Sequence, residues 1–579
     1  MRYHVLATDY DGTIALHGKV DEPTLKALSN FRATGRHLVM VTGRELPDLM
    51  ATFDHLDLFE WVVAENGGLL YKPATKEERP ICEGSSDALV DLLKKKGVGP
   101  ISVGKGIIAT WEPHQNAVLE SIRELGLELQ VIFNKGAVMI LPAGVNKSFG
   151  LTAALKEMKI SAHNVVGVGD AENDHAFLKM CEVSAAVDNA LPAVKETADI
   201  VLKRDHGAGV TELIENIIEN DLHSLSGRLQ RHDLILGKHG EDEISLPAYG
   251  SNVLICGPSG SGKSTVATRV VESLIERSYQ FCLIDPEGDY DTFEGAVVQG
   301  GPKSVPQLEE VLHLLEDNEA NVVVCLTGMP ISDRPAYFLN LLSHLIQMRT
   351  RIGRPHWLIL DETHHLMPGE WAPPEGVMPE QFTNLLMITV YPDILAPALL
   401  ERVNIVTAVG GEPDKTLKTF AEAAKVKLPR MGQTELEQGE VMLWMRDSKS
   451  PPKKIKAYPS KSEHRRHHRK YSEGELPPER SFYFQGADKK LNLRAQNLMM
   501  FLQLADGVDD ETWLHHLKQG DYARWFRDCI KDDNLAAAVE QIAKMTHVSP
   551  IDSRKLVRTE VERDYTLPAS APLPVPGAS

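Results

Sequence analysis

The segment Asp9-Tyr10-Asp11-Gly12-Thr13 constrains this chain more than any other feature of its sequence. It follows the apolar run His4-Val5-Leu6-Ala7-Thr8, which predicts a buried strand. Because side chains alternate along a strand, Asp9 and Asp11 point the same way. One carboxylate can then attack a phosphorus atom while the other handles the proton of the leaving group. Gly12 lets the backbone turn sharply beside a phosphate, so the segment predicts a phosphoryl-transfer site.

Three later segments supply the other groups that such a reaction needs. Thr42 and Gly43 end a second apolar strand and offer a hydroxyl and backbone N–H groups to phosphate oxygens. Lys147 supplies a cation ahead of a predicted helix, and Asp170 and Asp174 follow a third strand, four positions apart. A nucleophile, an acid/base, a hydroxyl, a lysine and an acidic pair are what an aspartyl-phosphate mechanism with Mg²⁺ requires.

These four motifs, in this order, resemble those of the haloacid dehalogenase (HAD) superfamily of phosphatases, and most closely its Cof-type, IIB branch. The resemblance covers residues 1–215 and implies a Rossmann-like core. The implied roles are nucleophile for Asp9, general acid/base for Asp11, phosphate binding for Thr42, Gly43, Lys147 and Asn173, and Mg²⁺ binding for Asp9, Asp11 (through its carbonyl), Asp170 and Asp174. The alternative, in which these aspartates only cap helices, does not account for the complete ordered set.

Residues 73–140 are predicted to form a small α/β cap, with helices near 85–96 and 112–125. A small cap that closes over the site suits a small phosphorylated metabolite and excludes water during the chemistry. It resembles the caps of archaeal-type phosphoglycolate phosphatases and of sugar-phosphate phosphatases, which implies a substrate of one of these two types.

A second phosphate-binding motif, G-x-x-x-x-G-K-[ST], follows the short apolar strand 253–256 and precedes a predicted helix over 266–277. Its glycines let backbone N–H groups surround a phosphate at a helix N-terminus, which indicates an ATP site. The lysine reaches the β- and γ-phosphates, and the serine ligates a second Mg²⁺. The candidate nucleotide-binding residues are Gly257, Gly260, Gly262, Lys263, Ser264, Thr265 and Asp361, the last at the end of the Walker B strand.

Glu362, next to Asp361, can polarise an attacking water, which favours ATP hydrolysis over phosphoryl transfer to a second substrate. Asp285-Pro286-Glu287-Gly288-Asp289-Tyr290 and Asp361-Glu362-Thr363-His364 resemble the D-P-x-G-[DE]-Y and D-E-x-H segments of HerA/FtsK-type ATPases. The resemblance spans about residues 230–450 and implies ring or other homo-oligomeric assembly with an arginine from a neighbouring subunit. Thr389 is the candidate polar sensor, and the candidate arginines are Arg351, Arg354, Arg402 and Arg430.

The sequence predicts an α/β chain with a HAD core and cap, a P-loop ATPase domain and a small all-α domain. The predicted boundaries are 1–215 for the phosphatase, 225–458 for the ATPase, 459–480 for a linker, 481–565 for the helical domain and 566–579 for a disordered tail. The chain has no apolar run long enough to cross a bilayer, so a soluble, cytoplasmic protein without a membrane partner is expected. Its formal net charge of −19 gives no general attraction to nucleic acid, although residues 465–470 are basic.

The favoured function is a Mg²⁺-dependent phosphatase of a small phosphorylated metabolite, with an ATPase domain that regulates or assembles it. One alternative is a HerA-like nucleic-acid ATPase with an end-processing phosphatase, and another is a bifunctional kinase–phosphatase. A further alternative treats the P-loop as a nucleotide sensor without rapid turnover. The cap argues against a polynucleotide end, and Glu362 argues against a kinase.

Overall fold

The computed structural model of the chain describes residues 1–84, 86–134, 136–258, 261–290, 293–369, 382–432, 434–448, 450–461, 476, 478–486, 491–530, 532–545 and 548–565. The chain divides into two compact units, Met1–Tyr458 and Pro459–Ser579. The predicted disordered tail, most of the predicted linker and its basic segment lie outside the described residues.

The first unit begins with a Rossmann-like core of eight strands in the order β12-β11-β10-β1-β2-β3-β4-β5. Its six strands from β12 to β3 run parallel and are almost continuously apolar, as expected for a sheet covered on both faces by helices. The strands are β1 (Val5–Thr8), β2 (His37–Val41), β3 (Trp61–Ala64), β4 (Leu69–Lys72), β5 (Glu77–Pro80), β10 (Val165–Gly169), β11 (Val183–Ala186) and β12 (Ile200–Val201). The helices are α1 (Glu22–Ala33), α2 (Leu46–Thr52), α5 (Lys147–Met158), α6 (His175–Met180), α7 (Pro192–Thr197) and α8 (His206–Asn220).

The cap is an antiparallel sheet, ordered β6-β7-β9-β8, with two helices packed on one face. Its elements are α3 (Asp87–Lys95), β6 (Ser102–Val103), β7 (Ile108–Trp111), α4 (Gln115–Leu125), β8 (Leu129–Asn134) and β9 (Ala137–Pro142). It begins later than residue 73, because Glu77–Pro80 pairs with Leu69–Lys72 and extends the core sheet. Ser86 accepts the N–H of Leu89 and starts the first cap helix two residues later than predicted.

The ATPase-type domain is built on an eleven-stranded sheet in the order β14-β13-β23-β22-β21-β15-β20-β19-β16-β18-β17. The P-loop strand β15 lies between β20 and β21, and β20 separates it from the Walker B strand β19. The strands are β13 (Leu234–His239), β14 (Asp242–Leu246), β15 (Asn252–Cys256), β16 (Phe281–Asp285), β17 (Val297–Gly300), β18 (Val322–Cys325), β19 (Trp357–Leu360), β20 (Leu385–Thr389), β21 (Ile405–Ala408), β22 (Glu440–Met445) and β23 (Lys453–Ala457). The helices are α9 (Lys263–Glu276), α10 (Leu308–Leu315), α11 (Arg334–Ile352), α12 (Pro397–Leu400) and α13 (Pro413–Ala423).

Both sheets of the first unit meet at the amino ends of their strands. Glu182, immediately before β11, accepts hydrogen bonds from Tyr279 Oη at 2.9 and 3.0 Å, and Tyr279 precedes β16 by two residues. His163, just before β10, stacks on the Tyr279 ring with centroids 3.8 Å apart. Arg354 donates to the carbonyl of Lys159 at 2.8 Å across the same junction. Since parallel strands share an amino edge, the carboxyl edges of the two sheets lie on their far sides.

In the described part of the second unit, a pair of antiparallel strands precedes the helices that follow Leu498. Its strands and helices are β24 (Phe482–Phe484), β25 (Leu493–Ala495), α14 (Leu498–Gly507), α15 (Asp510–Gln519), α16 (Asp521–Trp525), α17 (Asp533–Lys544) and α18 (Pro550–Tyr565). The predicted all-α domain is therefore only mostly helical, because Phe482 and Phe484 alternate into the core as in a strand. Leu476, within the predicted linker, is also buried in this core. Among the described helices, none has the length and apolar character needed to span a bilayer.

Candidate active site

The first candidate site lies at the carboxyl edge of the core sheet. Asp9 directly follows β1, Asp170 follows β10 and Thr42 follows β2, and these three strands are neighbours in the parallel sheet. Carboxylate oxygens of Asp9, Asp170 and Asp174 lie within 4.8 Å of one another, and all three residues are buried. The structure thus brings together side chains that are up to 165 positions apart in the sequence, from Asp9 to Asp174.

Lys147 joins two of these carboxylates. Its Nζ donates to Asp9 Oδ1 and to Asp174 Oδ1, each at 2.5 Å, and only 1% of its surface is exposed. Asn146 holds the lysine at the start of α5, because its side chain accepts the N–H groups of Ser148 and Phe149. Burial opposes the lysine's charge, but Asp174 and Asp9 outweigh it and raise the pKa of the ammonium. For Asp9, burial raises the pKa well above its usual value, although Lys147 opposes this shift.

The donor set fits a divalent cation. Three buried carboxylates face one ammonium, and hard cations such as Mg²⁺ prefer carboxylate oxygens. Thr13 Oγ1 donates to Asp170 Oδ1 at 3.0 Å, while Asp174 Oδ2 accepts the N–H groups of Asp170 and Ala171 at 2.9 Å. These bonds fix the orientation of the two acidic side chains at the sheet edge. Thr13 belongs to the first motif, but its role in orienting Asp170 is not among the roles predicted above.

Asp11 points to a different partner. Arg44 Nε and Nη2 donate to its two carboxylate oxygens at 2.6 and 2.8 Å, a bidentate pair. Arg44 also donates to Asp48 at 2.6 Å. The side chain of Asp11 is 41% exposed, in contrast to the buried Asp9. Arg44 stands next to the predicted phosphate-binding residues, yet only the structure reveals that it holds the predicted acid/base.

Thr42 and Gly43 form the turn beside this cluster. The Thr42 hydroxyl accepts the N–H of Arg44 at 3.1 Å, and Thr42 N–H donates to the carbonyl of Val63. A Cβ added at Gly43 would lie 3.2 Å from Cε of Met139 in the cap and 3.6 Å from Nδ2 of Asn173. The cap therefore closes directly over the predicted phosphate-binding turn.

Glu65 fastens the cap to the core. Its carboxylate accepts the N–H of Lys105 at 3.1 Å and that of Gly106 at 2.7 Å, in the loop between β6 and β7. Both Glu65 and the next residue, Asn66, have left-handed backbone angles, with φ of 53° and 52°. Non-glycine residues rarely adopt this conformation, and it often occurs at functional sites.

The second candidate site lies at the carboxyl edge of the other sheet. A Cβ at Gly257 would lie 2.1 Å from the carbonyl oxygen of Val409, so only glycine fits at this turn. Lys263 opens α9, and its Nζ donates to the carbonyl of Pro258 at 3.0 Å. Gly262 has φ of 97°, while Ser264 and Thr265 lie in the first turn of α9 and Gly260 lies outside the described residues. The described part of the loop thus wraps the space in front of a helix N-terminus.

Acidic residues face this loop from the neighbouring strands. Asp361 follows β19 and is buried, and burial together with Asp285 and Asp289 raises its pKa well above the usual value. Asp285 accepts four successive N–H groups, from Glu287 to Tyr290, at 2.7–3.2 Å. Glu362 has left-handed φ of 38°. The geometry therefore gathers the predicted Walker residues at one edge.

His364 lies between the predicted base and the predicted sensor of this second site. Its Nδ1 is 3.4 Å from Glu362 Oε2 and 3.3 Å from Thr389 Oγ1. Two of the predicted arginine candidates have other partners. Arg354 is fully buried and donates to the carbonyl of Leu315 and to Gln280 Oε1, and Arg351 pairs with Glu316 at 2.8 Å. Arg354 is therefore committed to the interior of the first unit.

The junction contains another cluster of ionisable groups, His163, Glu182 and His232, whose ligand atoms also lie within 4.8 Å of one another. Glu182 already accepts hydrogen bonds from Arg2, His163 and Tyr279. Glu182 is thus satisfied without a metal ion, and the cluster forms a polar contact between the two sheets. Burial opposes the charge of Glu182, yet His163 and Arg2 hold its pKa below the usual value.

Comparison with known proteins assigns both domains to families. A model of the haloacid dehalogenase-like hydrolases matches residues 6–117 and 118–214, and a model described as an AAA domain matches residues 248–400. Phosphoglycolate phosphatase of Methanothermobacter thermautotrophicus is 31% identical over 222 residues, which cover 37% of this chain and 98% of that protein. Phosphoglycolate phosphatase 2 of Saccharolobus solfataricus is 29% identical over 224 residues, or 38% of this chain and 93% of that protein.

A solved haloacid dehalogenase-like hydrolase from Bacteroides thetaiotaomicron aligns with a TM-score of 0.34 and 18% identity, covering 37% of this chain and 99% of its own. The two phosphoglycolate phosphatases thus match 37–38% of this chain. Within the first domain, a relative above 30% identity is covered over nearly its whole length, and the family model spans all four motifs. Through its first 214 residues, this chain belongs to the family of haloacid dehalogenase-like hydrolases.

Proposed function

We propose that this protein is a Mg²⁺-dependent phosphatase that hydrolyses a small phosphorylated metabolite through an aspartyl-phosphate on Asp9. The observation that carries the proposal is the buried cluster of Asp9, Asp170, Asp174 and Lys147. The names of the relatives point to a substrate of the phosphoglycolate type, and the closed cap equally suits a small sugar phosphate.

In the first step, a carboxylate oxygen of Asp9 attacks the phosphorus and the ester P–O bond breaks. Asp11 gives its proton to the leaving alkoxide, which departs as an alcohol. In the second step, water attacks the phosphorus of the acyl phosphate, Asp11 takes up the water proton, and inorganic phosphate leaves. Arg44 donates hydrogen bonds to both carboxylate oxygens of Asp11. One of these bonds must therefore break when the substrate binds, before Asp11 can carry the proton.

The remaining groups hold the phosphoryl group in line with Asp9. Thr42, Gly43 and Lys147 would bind its oxygens, and the ammonium of Lys147 offsets the charge that develops during transfer. Mg²⁺ would be held by Asp9, Asp170 and the Asp11 carbonyl, supported by Asp174, and it supplies neutralising charge for the phosphoryl oxygens when bound.

We further propose that the AAA-type domain binds and hydrolyses ATP and regulates or assembles the phosphatase. Lys263, Ser264 and Asp361 would hold the nucleotide and its Mg²⁺, and Glu362 would orient the attacking water. The loop in which Asp285 gathers four backbone N–H groups, together with the neighbouring D-E-x-H segment, supports a HerA-like core. Association of copies of the chain through this domain would bring an arginine of one copy to the ATP site of its neighbour.

A phosphate-release screen tests the proposal. Purified protein with Mg²⁺ would be offered sugar phosphates, phosphoglycolate, nucleotides and 3′-phosphorylated oligonucleotides, with and without ATP. Selective release from one small metabolite is expected, and the ATP comparison reports regulation. Release from oligonucleotide ends alone would instead favour nucleic-acid processing, and transfer of the labelled γ-phosphate of ATP to a metabolite would favour a kinase–phosphatase.

A further inference from the structure

We infer that Asn66 and Asn173 form an amide pair that recognises a hydroxyl group on the alcohol part of the substrate. The inference rests on the proposed phosphatase function and narrows its substrate class. It gives Asn173, which the sequence predicts to bind the substrate phosphate, a partner without a predicted role, Asn66, and neither amide is needed for attack or proton transfer.

The pair is internally bonded but incompletely satisfied. Asn173 Nδ2 donates to Asn66 Oδ1 at 3.1 Å. Asn66 Nδ2 and Asn173 Oδ1 have no hydrogen-bond partner, although both atoms are buried. Asn66 is fully buried and Asn173 is 9% exposed. A buried donor and a buried acceptor without partners are unfavourable, and a ligand that bonds to both removes this cost.

The amide pair lies beside the phosphate-binding turn, next to the acidic cluster and below the cap. The N–H of Asn66 donates to the carbonyl of Thr42 at 3.0 Å, and Asn173 immediately precedes Asp174. The Asn173 amide also lies beside Gly43, which Met139 of the cap covers. The left-handed backbone of Asn66, with φ of 52°, aims its side chain from the end of β3 toward the loop after β10. A substrate bound at the phosphate turn would therefore present the atoms next to its ester oxygen to this pair.

The chemistry of the unpaired atoms selects the ligand group. The oxygen and nitrogen of an amide are assigned from its hydrogen bonds, so both side chains could be flipped together. In either assignment the pair keeps one free donor and one free acceptor. A hydroxyl group matches both, because it accepts from one amide and donates to the other. A carboxylate or a phosphoryl oxygen only accepts, so it would leave the amide oxygen unpaired.

The substrate class that follows is a phosphorylated alcohol with a neighbouring hydroxyl, such as a polyol or sugar phosphate. Phosphoglycolate has a carboxylate at that place and no hydroxyl. The amide pair therefore favours hydroxylated substrates over the one for which the relatives are named.

The test compares 1,2-propanediol 1-phosphate with propyl phosphate, which differ by one hydroxyl, and includes phosphoglycolate. For the native protein with Mg²⁺, kcat/KM for the diol phosphate should exceed that for propyl phosphate by about tenfold or more, the effect of a buried hydrogen-bonding site. Asn66→Gly, which tolerates the left-handed backbone, should bring this ratio close to one. The variant should leave the propyl phosphate rate within about threefold of native, which also verifies folding. Asn216→Ala, an asparagine on α8 that bonds only to Glu212, serves as the matched control.

The outcomes separate the two proposals. Equal native rates on the diol and propyl phosphates, or a preference for phosphoglycolate, would overturn the hydroxyl inference while the phosphatase stands. An equal loss on every substrate in Asn66→Gly would also overturn it, since Asn66 would then serve the phosphate or the fold. A native protein that hydrolyses none of these esters or any other phosphate ester would overturn both.

Discussion

Carboxylate oxygens of Asp9 and Asp174 each accept a hydrogen bond from Lys147 Nζ at 2.5 Å. In so compact a cluster, the role of one side chain in the reaction is best tested by a substitution that keeps its size. Asp9→Asn keeps the size of the side chain and removes the nucleophile. We expect phosphatase activity to fall by roughly 10³-fold or more, while ATP hydrolysis is unchanged because it depends on a separate sheet. Phosphate release and ATP turnover measured on one sample provide the check. Asp54→Asn, at an exposed position, is the matched control, and loss of both activities would refute two independent sites.

Lys263 offers the reciprocal change. Its Nζ now bonds to the loop carbonyl of Pro258, a contact that nucleotide phosphates would replace. Lys263→Ala should abolish ATP hydrolysis and leave the hydrolysis of an aryl phosphate within about twofold, because no step at Asp9 uses this lysine. ATP turnover and aryl phosphate turnover are the measurements. Lys418→Ala, an exposed lysine on α13, is the control, and an unchanged ATPase rate would show that the P-loop is not the hydrolytic site.

At the scale of the elements, packing around α5 determines where Lys147 lies. A Cβ added at Gly150 would lie 2.3 Å from Cγ1 of Val63 and 2.8 Å from Cα of Gly67. Gly150→Ala should therefore push α5 away from β3, lower the free energy of unfolding by about 1–3 kcal/mol and displace Lys147. A lower melting temperature together with reduced phosphate release is expected. Gly227→Ala, where an added Cβ meets nothing within 4 Å, should leave both unchanged.

The strands that carry the motifs could be predicted because each is a short apolar run that ends in a polar cluster. Other elements gave weaker signals. The strand Glu77–Pro80 is mostly charged and exposed because it lies at the edge of the sheet. Its residues show no alternation of apolar and polar side chains that would predict its pairing with Leu69–Lys72. The strand Phe482–Phe484 is three residues long, which is too short for an alternation of period two to be distinguished from a helical pattern.

Side-chain partners that are distant in sequence were harder to predict than the strands. The pairing of Arg44 with Asp11 and of Asn66 with Asn173 depends on how neighbouring strands and loops are arranged. Likewise, Arg354 is one of four candidate arginine fingers between which the sequence does not choose. Its role as a buried support of the junction depends on contacts with Lys159 and Gln280, which only the folded chain brings together.

At the scale of the first unit, the junction adds a pH-dependent contribution to stability. His356, just before β19, is fully enclosed, and burial, with smaller effects of His163 and Arg354, lowers its pKa well below 6.5. Glu182 opposes this shift, and Arg349 adds to it. Because the folded pKa is lower than the unfolded one, the unfolded state binds more protons below about pH 6.5, and stability falls there.

The thermal unfolding midpoint should therefore decrease as the pH is lowered from 8 to 5.5. His356→Gln should make this decrease shallower, although His4, whose pKa burial lowers to about 4, keeps part of it. His223→Gln, at an exposed position, should leave the slope unchanged. An identical slope in the native protein and in His356→Gln would refute the role of His356.

The amino-edge junction also limits how the two sites can communicate. Strands β10 and β16, each of five residues, lead from the junction to Asp170 and Asp285, so each site lies about 16 Å beyond it. Direct transfer of a phosphoryl group between the sites is not compatible with such a separation. Coupling, as proposed, would instead have to pass through side chains that contact both sheets. Tyr279 is one of these, since it bonds to Glu182 and stacks on His163.

Tyr279→Phe removes the hydrogen bonds to Glu182 but keeps the ring that stacks on His163. If nucleotide binding regulates the phosphatase through this contact, the ratio of phosphate-release rates with and without ATP should move toward one. Each activity measured alone should stay within about twofold of native, because Tyr279 touches neither site. Tyr337→Phe removes a buried hydroxyl without a hydrogen-bond partner and is the matched control. An ATP response that survives Tyr279→Phe unchanged would mean that the coupling runs through other junction contacts, such as Arg354 with Lys159.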